Sequence, residues 1–218
     1  NYAPDCDGSV LWSSLPIPWP LPAGRGPVTG VFLLAAAIIL AIINYLPYLI
    51  GSLRGTITPH LFTWALWFIL TSVAFYAQLT SGGGIGAWAT GTTSLIIFCI
   101  TIASLRNGFG YVRRFDFAAL AGAIFSIGLW IVTNDPFWSV ILISVIHSIC
   151  FLPTFRKGFI KPNKESVTAF VITILKYGAA IVALEAYAVE TVLFPATIMT
   201  TSFLFVSMIL YRRMVVRR

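Results

Sequence analysis

The chain has 218 residues, 58% of them hydrophobic and only 10% charged, with a mean hydropathy of +0.91 and a formal net charge of +7. A soluble domain is excluded, because so few polar side chains cannot cover a water-facing surface. The basic excess borders apolar stretches instead of forming a patch, which argues against nucleic acid as a partner.

Residues 1–30 carry Pro4, Pro16, Pro18, Pro20, Pro22 and Pro27 together with Trp12 and Trp19, a pattern that predicts an extended, polyproline-like arm. It lacks the basic start and apolar core of a signal peptide. Two placements are open for this arm: folded over the protein's own outer face with its Trp side chains in the headgroup layer, or docked on another membrane subunit.

Seven apolar runs follow, at Val31–Ile50, Leu61–Leu79, Ile85–Leu105, Phe117–Thr133, Phe137–Phe155, Val167–Leu184 and Thr191–Tyr211. Crossing a hydrocarbon core of about 30 Å takes roughly 17 to 25 residues of helix, so each run is predicted to span the bilayer. Helix is required because lipid cannot satisfy an unpaired backbone group. The expected class is an all-α integral membrane protein with seven transmembrane helices, and lipid is its first partner.

Arg54, Arg106, Arg113, Arg114, Arg156, Lys157, Lys161, Lys164, Arg212, Arg213, Arg217 and Arg218 all follow odd-numbered runs, and only Arg25 lies on the other side. The positive-inside bias then places the amino terminus outside and the carboxyl terminus in the cytoplasm. The expected location is a bacterial inner or intracytoplasmic membrane.

The second half of the series replays the first. Aligning Leu46-Pro47 with Leu152-Pro153 brings Thr63 onto Thr168, Ala74 onto Ala179 and Leu79 onto Leu184, and Thr92-Thr93-Ser94 echoes Thr200-Thr201-Ser202. Three runs per unit and one between them give two like-oriented three-helix bundles. The predicted organisation is an arm over 1–30, a first repeat over 31–105, a linker helix with its loops over 106–136, and a second repeat with a basic tail over 137–218.

In Tyr45-Leu46-Pro47-Tyr48 with Thr63-Trp64-Ala65-Leu66-Trp67, and in Phe151-Leu152-Pro153-Thr154-Phe155-Arg156-Lys157 with Pro162 and Glu165, the chain resembles a bacterial branch of the PQ-loop and SWEET-like superfamily. The resemblance covers 31–213. It implies two three-helix bundles that rock about a central site, and transport of sugars, amino acids or vitamins. Tyr48 and Thr154 stand where glutamine normally follows the motif proline.

Candidate functional residues are the polar ones inside the runs. Pro47 and Pro153 each remove a backbone hydrogen bond from equivalent helices and are predicted hinges, with a static kink as the alternative. Lys176 is the charge deep within a run; it is expected to face the bundle interior or to snorkel outward, and Thr173 and Tyr177 share its face. The repeat alignment sets Thr71 opposite Lys176, flanked by Trp67 and Gln78. Asn44 and His147 lie just ahead of the two prolines. His147 has three readings: a structural hydrogen bond, a proton-coupling or substrate group, or an axial ligand to a porphyrin-type magnesium or iron. No other cofactor is expected, nor a metal cluster, since Cys6, Cys99 and Cys150 are scattered. With no nucleophile beside a base and no carboxylate pair, an enzyme is not expected.

Two functions fit. One is a carrier in which Asn44, Trp67, Thr71, Gln78, His147, Lys176 and Tyr177 line a site for a small polar solute, sugar-like or vitamin-like. The other is a non-transporting accessory subunit of a larger membrane complex, in contact with pigment or lipid.

Overall fold

The structure, a computed structural model, describes residues 27–56, 60–105, 114–160, 162 and 166–216. The amino-terminal arm as far as residue 26, and Arg106, Arg113, Lys161, Lys164, Glu165, Arg217 and Arg218, lie outside the described residues, so its docking and their part in the topology do too.

All seven predicted runs are helices: α1 Pro27–Leu53, α2 Leu61–Thr80, α3 Ala87–Ser104, α4 Arg114–Thr133, α5 Pro136–Ile160, α6 Val167–Ala183 and α7 Val189–Val216. No strand occurs among the described residues. Five helices run past the predicted limits by up to five residues, because the apolar stretch marks the part in hydrocarbon while the hydrogen-bonded spiral continues beyond it, whereas α3 and α6 stop one or two residues inside them. Local chemistry fixes some ends. The Ser166 hydroxyl accepts from Ala169 N at 3.4 Å to cap α6, and α7 carries Glu190 in its first turn and Arg213 in its last, each complementing the helix dipole.

Five helical stretches are long and apolar enough to cross a membrane, and two shorter apolar helices, Phe117–Thr133 and Val167–Ala183, pack with them. Phe32, Leu95, Phe125, Ile131, Val132, Leu152 and Phe203 all stand exposed on the perimeter. Water would penalise that surface and lipid does not. The chain is a membrane-embedded helical protein.

Within the bundle, α3 packs against both α1 and α2, and α7 packs against both α5 and α6. The two triplets meet where α1 lies along α6 and where α2 lies against α5 and α7, while α4 leans on α2 and α5. Small side chains allow the close approach that packing in lipid depends on. Ala37, Ala89 and Ala180 form a core between α1, α3 and α6. A second core gathers Leu66, Leu70, Ala74, Ala123, Ile143 and Phe194 around α2 and α5.

One end of the two triplets is tied by backbone. The turn after α2, at Ser81-Gly82-Gly83-Gly84, hands Ile85 N to a Glu185 carboxylate oxygen at 3.0 Å, and Glu185 N reaches Gly83 O at 3.3 Å. Gly84 sits there at φ +59°, with its α-hydrogens against that carboxylate. A methyl group at Gly84 meets both left-handed strain and the Glu185 carboxylate, so Gly84→Ala is expected to lower stability by about 1 to 3 kcal/mol. Thermal unfolding in detergent, followed by helical circular dichroism, checks it; an unchanged midpoint would mean that the clasp carries no strain-sensitive contact.

Candidate functional site

The polar residues nominated by the sequence lie where the triplets meet, in two groups. The first is built by α1, α3 and α6. Lys176 is 1% exposed and does not snorkel. Its Nζ donates to Thr93 Oγ1 at 3.3 Å and stands 4.1 Å from the Tyr177 ring centroid and 4.8 Å from that of Tyr45. Thr93 passes the chain on to Ala89 O at 2.9 Å. Beside it, Asn44 Nδ2 donates to Thr173 Oγ1 at 3.0 Å, joining α1 to α6. Ring faces and a hydroxyl are the partners this ammonium has, and no carboxylate pairs with it among the described residues.

The second group is built by α2, α5 and α7. His147 is fully buried, and its Nε2 lies 3.1 Å from Thr201 Oγ1. Because Thr201 Oγ1 already donates to Thr197 O at 2.8 Å, it accepts from the imidazole, which sets Nε2 as the protonated nitrogen. Nδ1 is then a buried acceptor without a hydrogen-bond partner. Trp67 meets the ring edge-on at 4.7 Å between centroids, Phe151 stacks at 5.7 Å, and Phe194 closes the third side at 6.0 Å. Aromatic rings thus occupy the space next to the imidazole in this conformation.

Gln78 shows the clearest local logic. Pro195 lies inside α7 and has no N–H, so the carbonyl one turn back, that of Thr191, loses its helical partner. Gln78 Nε2 supplies the missing donor from α2 at 2.8 Å. Its other amide atom, Oε1, stays buried and unpartnered.

Thr71 is fully buried but bonds its own helix, at Trp67 O 2.8 Å and Phe68 O 3.1 Å. The hydroxyl facing Lys176 is that of Thr93. Pro47 lies inside α1 with its side chain exposed, and Pro153 lies within α5. The sequence reasoning did not name Tyr45, Thr93, Thr201 or Pro195 as site residues. The signal for two of them was present, since Thr93 and Thr201 occupy the same place in the repeated Thr-Thr-Ser triplets.

A membrane-embedded helical bundle with a polar seam is therefore the class this structure defines. Compared with family models, with curated proteins and with solved structures, the chain matches none.

The proline and the glutamine are expected to act as a pair. Gln78→Leu leaves the Thr191 carbonyl buried without a donor and should cost about 1 kcal/mol. In a Pro195→Ala background the restored N–H takes that carbonyl, and the cost of Gln78→Leu should shrink. A double-mutant cycle on thermal unfolding reads the coupling; additive losses would show that the two sites are independent.

Proposed function

We propose that the chain is a carrier for a small polar solute, working by alternating access between two like-oriented three-helix bundles joined by α4. The observation that carries this is the set of side-chain contacts that cross between the two triplets. Asn44 to Thr173, Lys176 to Thr93 and Tyr45, Trp67 to His147, and Gln78 to Thr191 all bridge the first triplet and the second. A membrane protein concentrates costly buried polar groups where they act, and a seam between two bundles is where a rocking carrier holds its solute.

The packing order supports the repeat. In each triplet the third helix lies between the other two, and α1 against α6 has its counterpart in α5 against α2. That exchange is what a two-fold axis along the membrane normal produces. Seven crossings, an outer amino terminus and a cytoplasmic carboxyl terminus complete the arrangement, and the resemblance to the PQ-loop and SWEET-like superfamily agrees with it.

The conformation described is closed at the seam, with Thr71, Gln78, His147 and Lys176 no more than 2% exposed. In the carrier this is the occluded state. The same closure favours a second reading, a non-transporting subunit in which the seam is static.

Uptake separates the two. The purified chain in lipid vesicles is expected to accumulate at least one of a set of radiolabelled sugars, amino acids and vitamins in a saturable manner. Lys176→Met should lower that uptake by at least about tenfold, the loss of about 1.4 kcal/mol of solute interaction, while the protein still elutes as a folded particle. Uptake that Lys176→Met leaves unchanged would remove the seam from the transport path, and no uptake of any of the set would favour the static subunit.

A further inference from the structure

At the end of the bundle where α2 stops, α4 turns into α5 and α7 begins, a cavity of about 410 Å³ opens between the helices. Its walls include Tyr76, Thr80, Trp130, Asn134, Asp135 and Glu190. The positive-inside pattern places this end away from the cytoplasm. The Tyr76 and Trp130 rings lie 4.8 Å apart between centroids at 49°, and so line one side with aromatic surface. Two carboxylates complete the lining, and no lysine or arginine of the described residues is among the lining groups.

Each carboxylate has a local explanation, and those explanations leave the cavity unaccounted for. Asp135 accepts from Phe137 N at 2.9 Å, which caps the start of α5, and Glu190 lies in the first turn of α7, where a negative charge complements the dipole. Neither role requires the carboxylates to share a hollow with an indole and a phenol. Asn134, at φ +51°, makes the sharp turn that sets Asp135 beside the cavity.

Negative charge, acceptor oxygens and π faces with no basic group among them form a receptor for a cation. Ring quadrupoles attract a positive charge and carboxylates strengthen its hydrogen bonds. The volume lies in the range of about 300 to 1,000 Å³ that small organic ligands occupy. We propose that this cavity is a binding site for a small organic ammonium ion, with its N–H groups on Asp135 and Glu190 and its carbon body against Tyr76 and Trp130. The site lies at the end of the bundle, apart from Lys176, and as a binding site it does not depend on transport.

The test is isothermal calorimetry on the full chain in lipid nanodiscs, with benzylammonium chloride as the probe and benzyl alcohol as its uncharged counterpart. Benzylammonium is expected to bind with Kd of about 1 mM or tighter. Benzyl alcohol should bind at least about tenfold more weakly, since it lacks the charge. Glu190→Gln should weaken the ammonium about tenfold, and Asp135→Asn should do the same while its side chain still caps α5. Equal affinity for ammonium and alcohol, or ammonium binding unaltered by the two carboxamide substitutions together, would overturn the assignment, as would no binding at about 10 mM. If the substituted chains do not survive purification, the ammonium-to-alcohol ratio on the unaltered chain decides. Uptake is not read here, so a failure of this site and a failure at Lys176 are told apart.

Discussion

What holds this molecule together is the need of every polar atom below the headgroups to find its partner inside the protein. Lipid tails are as apolar as leucine, so packing Phe or Ile against a neighbouring helix gains little over leaving it in the bilayer. Close fit and internal hydrogen bonds must do what the hydrophobic effect does in water. Small side chains such as Ala37, Ala89 and Ala180 provide the fit, and the bonds are made across the seam by Asn44, Gln78 and Lys176. Within each triplet, many hydroxyls turn back onto their own helices, as Thr71, Thr101 and Ser144 do. Others reach a neighbouring helix of the same triplet, as Ser72 does to Ser94 and His147 to Thr201.

The seam has an energetic side. A lysine at this depth costs roughly 2.5 to 3.5 kcal/mol on insertion scales, and aromatic faces with one hydroxyl are modest compensation for a carboxylate. The first triplet offers the Thr93 hydroxyl and the Tyr45 ring, while Tyr177 comes from the same helix as the lysine. The Glu185 clasp spans the same junction at one end with two hydrogen bonds, one accepted by its carboxylate and one donated by its backbone N–H.

The seven helices were legible because the bilayer reduces secondary structure to a count of apolar residues, and the limits differ mostly where helix outlasts hydrocarbon, with α3 and α6 a residue or two shorter than their apolar runs. Which residues lie inside was legible too for Lys176, Gln78 and His147, since polarity in a lipid-facing run has few explanations. Partner identity was harder. Periodicity sets Thr71 on the inner face but cannot show that its hydroxyl bonds Trp67 O, and nothing in spacing distinguishes Thr93 from Thr92 as the contact of Lys176. The cavity at Asp135 and Glu190 could not be read at all, because it is assembled from the ends of four helices, at three places far apart in the chain.

Pro195 and Gln78 come from opposite halves of the chain, yet one carries an omission and the other its remedy. In descent they form a single character: a lineage that lost the glutamine first would bear an orphaned carbonyl in hydrocarbon until the proline followed. Their joint presence or joint loss in related chains is thus a better mark of shared ancestry than any stretch of apolar similarity, which composition alone can produce.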